Sequence, residues 1–171
     1  MSINTLKFKT SDMRFGITIS GMLIDKILKY CKETEDIETG GILVGYYNKK
    51  HDWAIVTDIS GPPENSKRTS VSFSRGVKGI QKWLNVIWSV HRHYYLGEWH
   101  YHPFARPDAS LVDTKQMKEH SENDPLKCPE PIMLIFGGDP NDLWKMKAYI
   151  YPKGEKLYIM DRCEPMSSGT C

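Results

Sequence analysis

The chain has 171 residues, 40% hydrophobic and 26% charged, with a formal net charge of +2. That length and balance suit one globular domain with its own core and exclude a disordered chain. Lys and Arg are scattered rather than striped, which argues against nucleic acid as a partner.

No uncharged apolar run approaches the ~20 residues that a membrane-spanning helix needs. Lys7, Lys9, Asp12 and Arg14 interrupt the N-terminus, so no secretion signal is visible and a cytoplasmic protein without a membrane partner is expected. Cys31, Cys128, Cys163 and Cys171 form no C-x-x-C pair and read as free thiols, with Cys31 in a core.

In chain order, Arg14 to Ile19 alternates Phe15, Ile17 and Ile19 as a strand does, and Ser20 can cap a helix. Ile24, Ile27, Leu28 and Cys31 supply that helix's buried face, and the charged stretch from Lys32 to Glu38 ends it. Strands are predicted at Gly41 to Tyr47 and Trp53 to Ser60, then a loop from Gly61 to Ser70. A second helix from Ser74 carries Val77, Ile80, Leu84, Ile87 and Trp88, and Tyr94 to His100 reads as a strand. Ser110 to Glu122 reads as a third helix, Ile132 to Phe136 as a buried strand, and Leu143 to Tyr151 with Lys156 to Asp161 as a closing pair. One α/β domain over residues 1–161 follows, a mixed sheet covered by helices on both faces, with a loose tail over 162–171.

The chemistry concentrates between His100 and Asp113. Residues two apart on a strand point the same way, so His100 and His102 aim both imidazoles at one place. Pro103 ends the strand and lets the next helix start face them, with Asp113 in its first turn. Two imidazoles and a carboxylate suit zinc and leave a fourth position for water, whose pKa the metal lowers from about 15.7 to about 7. A base is still required. Glu38, Glu35 and Asp36 all qualify on composition, and Glu38 stands just before Thr39, Gly40 and Gly41, where glycines allow close backbone approach.

The order E-T-G-G-I-L-V-G (Glu38 to Gly45), G-E-W-H-Y-H-P (Gly97 to Pro103) and S-L-V-D (Ser110 to Asp113) resembles the JAB/MPN metalloprotease family and its JAMM motif. The resemblance runs through most of the chain. It implies a cytidine-deaminase-like fold, a three-layer α-β-α sandwich with a mixed central sheet. It also implies one zinc per chain on His100, His102 and Asp113, Glu38 as general base, and Ser110 as a donor to the oxyanion. One departure stands out: Tyr101 replaces the Ser or Thr usual between the histidines of eukaryotic members, and strand alternation turns it away from the metal, toward packing or substrate.

Several residues carry two readings. Ser110-x-x-Asp113 is also an ordinary helix cap, which is compatible with mounting a ligand. Glu98 either orients a histidine or makes a surface salt bridge, His51, His91, His93 and His120 read as surface groups, and Arg106 to Asp108 lie where a substrate tail would run.

The context is similar to the JAB deconjugating peptidases of bacterial antiphage, CBASS-type operons, which sit beside E1/E2-like conjugating enzymes. The implied activity is an isopeptidase that cleaves after the C-terminal Gly of a ubiquitin-like protein or of a protein conjugated by its tail. Two alternatives remain: a peptidase that trims a sulfur-carrier precursor, and a non-catalytic MPN scaffold. A nucleoside deaminase is disfavoured because no H-x-E with a paired P-C-x-x-C occurs.

Overall fold

The computed structural model describes residues 4–163. In chain order its elements are β1 (Leu6–Lys9), β2 (Gly16–Ile19), α1 (Gly21–Glu33), β3 (Thr39–Tyr47), β4 (Trp53–Ile59), β5 (Lys67–Thr69), β6 (Ser72–Ser74), α2 (Ile80–His91), β7 (Tyr94–Pro103), α3 (Leu111–Glu122), β8 (Ile132–Gly138), β9 (Trp144–Ile150) and β10 (Tyr158–Arg162).

Helix α1 forms as its sequence directs. Ser20 accepts a hydrogen bond from the Leu23 amide, and Ile24, Ile27, Leu28 and Cys31 bury one face. That face joins a core to which all eight strands of the main sheet contribute, among them Phe8, Ile17, Leu43, Val56, Trp99, Leu134, Ile150 and Met160. Alternate residues of the same strands point outward. Ile42, Val44 and Tyr95 pack beneath Ile87 of α2, while Met133, Ile135 and Tyr149 pack beneath Met117 of α3. Helices therefore cover both faces of a mixed sheet, as expected.

Where the resemblance implied a three-layer α-β-α sandwich, however, the main sheet forms a closed barrel. The strand order β1-β10-β9-β8-β7-β3-β4-β2 closes on itself because β1 pairs with both β10 and β2. Leu6 and Phe8 turn into the core with lysines outward, and this short strand bridges the two sheet edges by pairing with β2 along its length and with β10 at Phe8 and Lys9.

Two stretches differ from their sequence reading. The expected loop over 61–70 contains half of a hairpin, β5 with β6, whose residues are all exposed except Phe73. The second helix begins at Ile80, six residues later than expected, because Gly79 turns the chain with a φ of 81° and Val77 lies exposed outside it. Strand β10 runs through Arg162, and residues 164–171 of the expected tail lie outside the described residues. Cys31 and Cys128 are buried free thiols, with the Cys31 thiol pushed up to about 12 by burial.

Candidate metal centre

A bulge in β7 decides which way the histidines face. Leu43 pairs with Gly97 but Val44 with Tyr95, so the strand carries an extra residue at Leu96. Leu96 and Trp99 both point into the barrel, and beyond the bulge Glu98, His100 and His102 share the outer face. Gly97 permits this with a φ of 150°, and a Cβ there would lie 1.8 Å from the Ile132 carbonyl oxygen on the neighbouring strand. Opposite, Gly40 pairs with His100, and a Cβ on Gly40 would meet the rings of His100 and Phe73 at under 3 Å. The close approach expected at the glycines after Glu38 is therefore real, since a Cβ on Gly41 would likewise lie 2.2 Å from the Ser60 carbonyl oxygen.

Asp113 reaches the histidines from the first turn of α3. Ser110 is the N-cap: its Oγ accepts from the Asp113 amide at 3.1 Å, and its own amide donates to Asp113 Oδ2 at 2.8 Å. The hydroxyl also donates to Asp113 Oδ2 at 2.7 Å. Asp113, Met117 and Ser121, four residues apart, form the buried stripe that seats the helix on the sheet. The cap and ligand readings of this segment thus coincide in one geometry.

His100 Nδ1 lies 2.9 Å from Asp113 Oδ1, and His102 Nε2 lies 3.6 Å from Asp113 Oδ2. Ligand atoms of the three residues all fall within 4.8 Å of one another. A tetrahedral ion with bonds of about 2.0–2.1 Å holds neighbouring ligand atoms roughly 3.3 Å apart, between those two separations. The residues fit a metal ion. Without a metal, burial disfavours a charged His100, but Asp113 and Glu98 outweigh it and raise the imidazole to about 9. Burial likewise opposes ionisation of Asp113, yet His100 and Ser110 hold it at about 2. His102 is lowered by burial, against the pull of Asp113.

The centre opens into a cleft of about 340 Å³ lined by Glu38, Val71, Phe73, His102, Ser110, Val112 and Asp113, among others. Thr39 pairs with Tyr101, so Glu38 leaves β3 level with His102 and on the outer face. Burial, then the nearby Asp113, raise its carboxyl above the ordinary range. Glu35 and Asp36 are exposed and do not line the cleft. The rim is apolar: Val71 at the hairpin tip and Val112 at the start of α3 are 82% and 72% exposed, and their cleft neighbours are flanked by exposed Phe104 and Leu111.

Tyr101 points into the barrel, buried in the main core, and donates its hydroxyl to the Gly138 carbonyl at 3.2 Å. It serves packing, and its phenol is pushed up to about 12 by burial. Glu98 is fully buried rather than a surface group, 3.4 Å from His100 Nε2 and paired with Arg75. His120, read as a surface residue, faces Glu98 and Tyr95. His91 is exposed at the end of α2, whereas His93 bonds Thr57 and stacks on Tyr46. Asp108 lines the cleft and pairs with Lys147, while Arg106 lies exposed beside it.

Sequence reasoning missed Phe73 and Arg75. Phe73 packs its ring edge-on against His100, with centroids 5.1 Å apart. Phe73 falls between the loop read up to Ser70 and the helix read from Ser74, and Arg75 at that helix start, with Phe73 the one aromatic in an otherwise mostly polar stretch. That lone buried aromatic was the available signal.

Among the described residues, no helix is long and apolar enough to cross a membrane. In comparisons with known proteins, the chain is 34% identical over 155 residues to the "CD-NTase/cGAS isopeptidase" of Enterobacter hormaechei subsp. hoffmannii, covering 91% of this chain and 86% of the relative. A Vibrio cholerae protein of the same name is 30% identical over 75% of this chain and 79% of the relative. The "Probable metalloprotease y4qB" of Sinorhizobium fredii is 27% identical over 86% and 91% of the two chains. A Desulfitobacterium hafniense protein solved in solution shares the fold, with a TM-score of 0.52 at 17% identity over 84% of this chain and 86% of that one. The model of the family described as prokaryotic homologs of the JAB domain matches residues 22–148, from α1 into β9 and through every element that builds the cleft. By that match and the Enterobacter relative together, this chain belongs to the prokaryotic homologs of the JAB domain.

Proposed function

We propose that the chain is a zinc-dependent isopeptidase that hydrolyses the bond after the C-terminal Gly of a CD-NTase joined to another protein in the ubiquitin manner. One observation carries this reading: His100, His102 and Asp113 converge beside Glu38 in an open cleft, in a chain whose relatives bear the name CD-NTase/cGAS isopeptidase. The bacterial antiphage setting, with an E1/E2-like conjugating enzyme as partner, follows from the same reading.

His100, His102 and Asp113 would hold the zinc, their nitrogen and oxygen donors being the mixed set that a catalytic zinc takes. When bound, zinc supplies a Lewis acid that lowers the pKa of water and polarises the scissile carbonyl. Glu38, its proton affinity raised by burial, takes a proton from the attacking water and returns it to the amine nitrogen as the C–N bond breaks. Ser110 has one hydroxyl proton to give, and at rest gives it to Asp113 Oδ2. Turning it to the oxyanion leaves Asp113 still held by the Ser110 amide.

Recognition needs little beyond main chain. The β5–β6 hairpin borders the cleft and offers an exposed edge along which an extended tail adds as a strand. Val71, Phe73 and Val112 form close apolar walls, which suits a tail ending in glycine.

The test is cleavage of a CD-NTase carrying a protein on its C-terminal Gly. Cleavage should stop with a zinc chelator, and Glu38→Gln should lower the rate by roughly 10²–10⁴-fold. A Glu38→Gln protein that cleaves at the wild-type rate removes the proposal.

A further inference from the structure

Glu98 is an expensive residue where it stands. Its side chain is 0% exposed, and a buried carboxylate is costly unless it is paired and hydrogen-bonded. Arg75, 12% exposed, donates from Nε to Oε1 at 3.0 Å, with its Nη2 also 3.0 Å from that oxygen. His120 Nδ1 lies 3.4 Å from the same oxygen and 3.0 Å from the Tyr95 hydroxyl. Oε2 is left for His100 Nε2, 3.4 Å away. The His100 ring is thus bracketed, with Nδ1 on Asp113 and Nε2 on Glu98, while Phe73 closes one side.

A histidine ligand whose second nitrogen donates to a carboxylate is fixed in tautomer and orientation and is a stronger donor to the metal. We infer that Glu98, held by Arg75, is the positioning residue for His100. It keeps the proton on Nε2 and leaves Nδ1 to face the metal position between Asp113 and His102. Arg75 directly follows β6, and Glu38 donates its amide to the Thr69 carbonyl of β5 at 2.9 Å. The hairpin that borders the cleft is therefore fastened at one end to the base and at the other, through Arg75 and Glu98, to a ligand. The inference rests on the metal-ligand reading of His100, and goes beyond it by giving Glu98 and Arg75 a task other than stability.

The experiment measures zinc affinity by competition with a chromophoric chelator and records the visible spectrum of the cobalt(II)-loaded protein. The variants are Glu98→Gln, the neutral pair Glu98→Gln/Arg75→Met, and His102→Ala, each checked for fold by near-ultraviolet circular dichroism. Glu98→Gln should lower zinc affinity about 10–100-fold and shift the cobalt spectrum. The double variant, which strands no buried charge, should stay equally weak in zinc affinity. It decides the matter if the single variant fails to fold. A folded variant at position 98 with wild-type zinc affinity and cobalt spectrum overturns the inference. If His102→Ala also binds zinc as the wild type does, the metal-ligand reading falls with it; if His102→Ala loses zinc while Glu98→Gln keeps it, only the positioning role falls.

Discussion

Replacing Ser110 with Ala separates the two tasks assigned to one hydroxyl. The oxygen accepts from the Asp113 amide at 3.1 Å and donates to Asp113 Oδ2 at 2.7 Å, while the Ser110 amide, untouched by the substitution, keeps its 2.8 Å bond to Oδ2. Loss of the cap oxygen costs about 1 kcal/mol, within a range of roughly 0.5–2. In a chain of this size that is a fall in Tm of about 2–4 °C, to be read by calorimetry in the presence of chelator so that metal binding does not contribute. If the hydroxyl also donates to the oxyanion, kcat at saturating zinc should fall by roughly 10²–10³-fold with little change in KM. Ser110→Thr, which keeps an oxygen on the β-carbon, should recover most of the Tm. An unchanged Tm would refute the capping account. A kcat within a few-fold of wild type at saturating zinc would leave Ser110 as a cap and anchor alone.

Gly97→Ala should damage the centre from inside the strand. Its Cβ would lie 1.8 Å from the Ile132 oxygen, so β7 must separate from β8 or lose the bulge that turns His100 outward. We expect destabilisation above about 2 kcal/mol in urea titration together with weakened zinc binding, and a protein with wild-type values of both would contradict the phase argument. Tyr101→Phe removes only a donor to the Gly138 carbonyl and should cost about 1 kcal/mol with unaltered cleavage; a large rate loss would make Tyr101 a substrate contact after all. Acidity should act through His100. Its metal-free pKa is raised from 6.5 to about 9 by Asp113 and Glu98 against burial, so its contribution to metal-free stability is complete below pH 6.5 and lost as pH rises through 9. Zinc must displace that proton, so zinc affinity should rise between pH 6.5 and 9, with proton release seen by calorimetry in buffers of different ionisation enthalpy.

The donor set was readable because its spacing is local. His100 and His102 are two apart on a strand, and Ser110 and Asp113 occupy the cap and third positions of a helix start, so period and turn chemistry suffice to aim them. The same local rules delivered α1, with Ser20 as its cap, and strand β8 as a continuous buried run. Strand β1 also alternates, with Leu6 and Phe8 between lysines, but four residues are too short a pattern to separate from an irregular N-terminus.

What pairing across the chain decided was not visible in any window. The register of β3 on β7 brought Glu38, and not Glu35 or Asp36, into the cleft, a choice that composition had left open and resemblance alone had made. Closure of the sheet depends on β1 meeting β10, segments about 150 residues apart. Glu98 finds Arg75 23 residues earlier, in a stretch with no period to read, and the two strands of the hairpin before it are polar at every exposed position. Local side-chain periodicity thus determined by itself which residues could serve as ligands and how neighbours share a face. Only tertiary pairing, through register, one bulge at Leu96 beside Gly97 and the burial of an ion pair, decided which carboxylate stands beside them and which groups face His100.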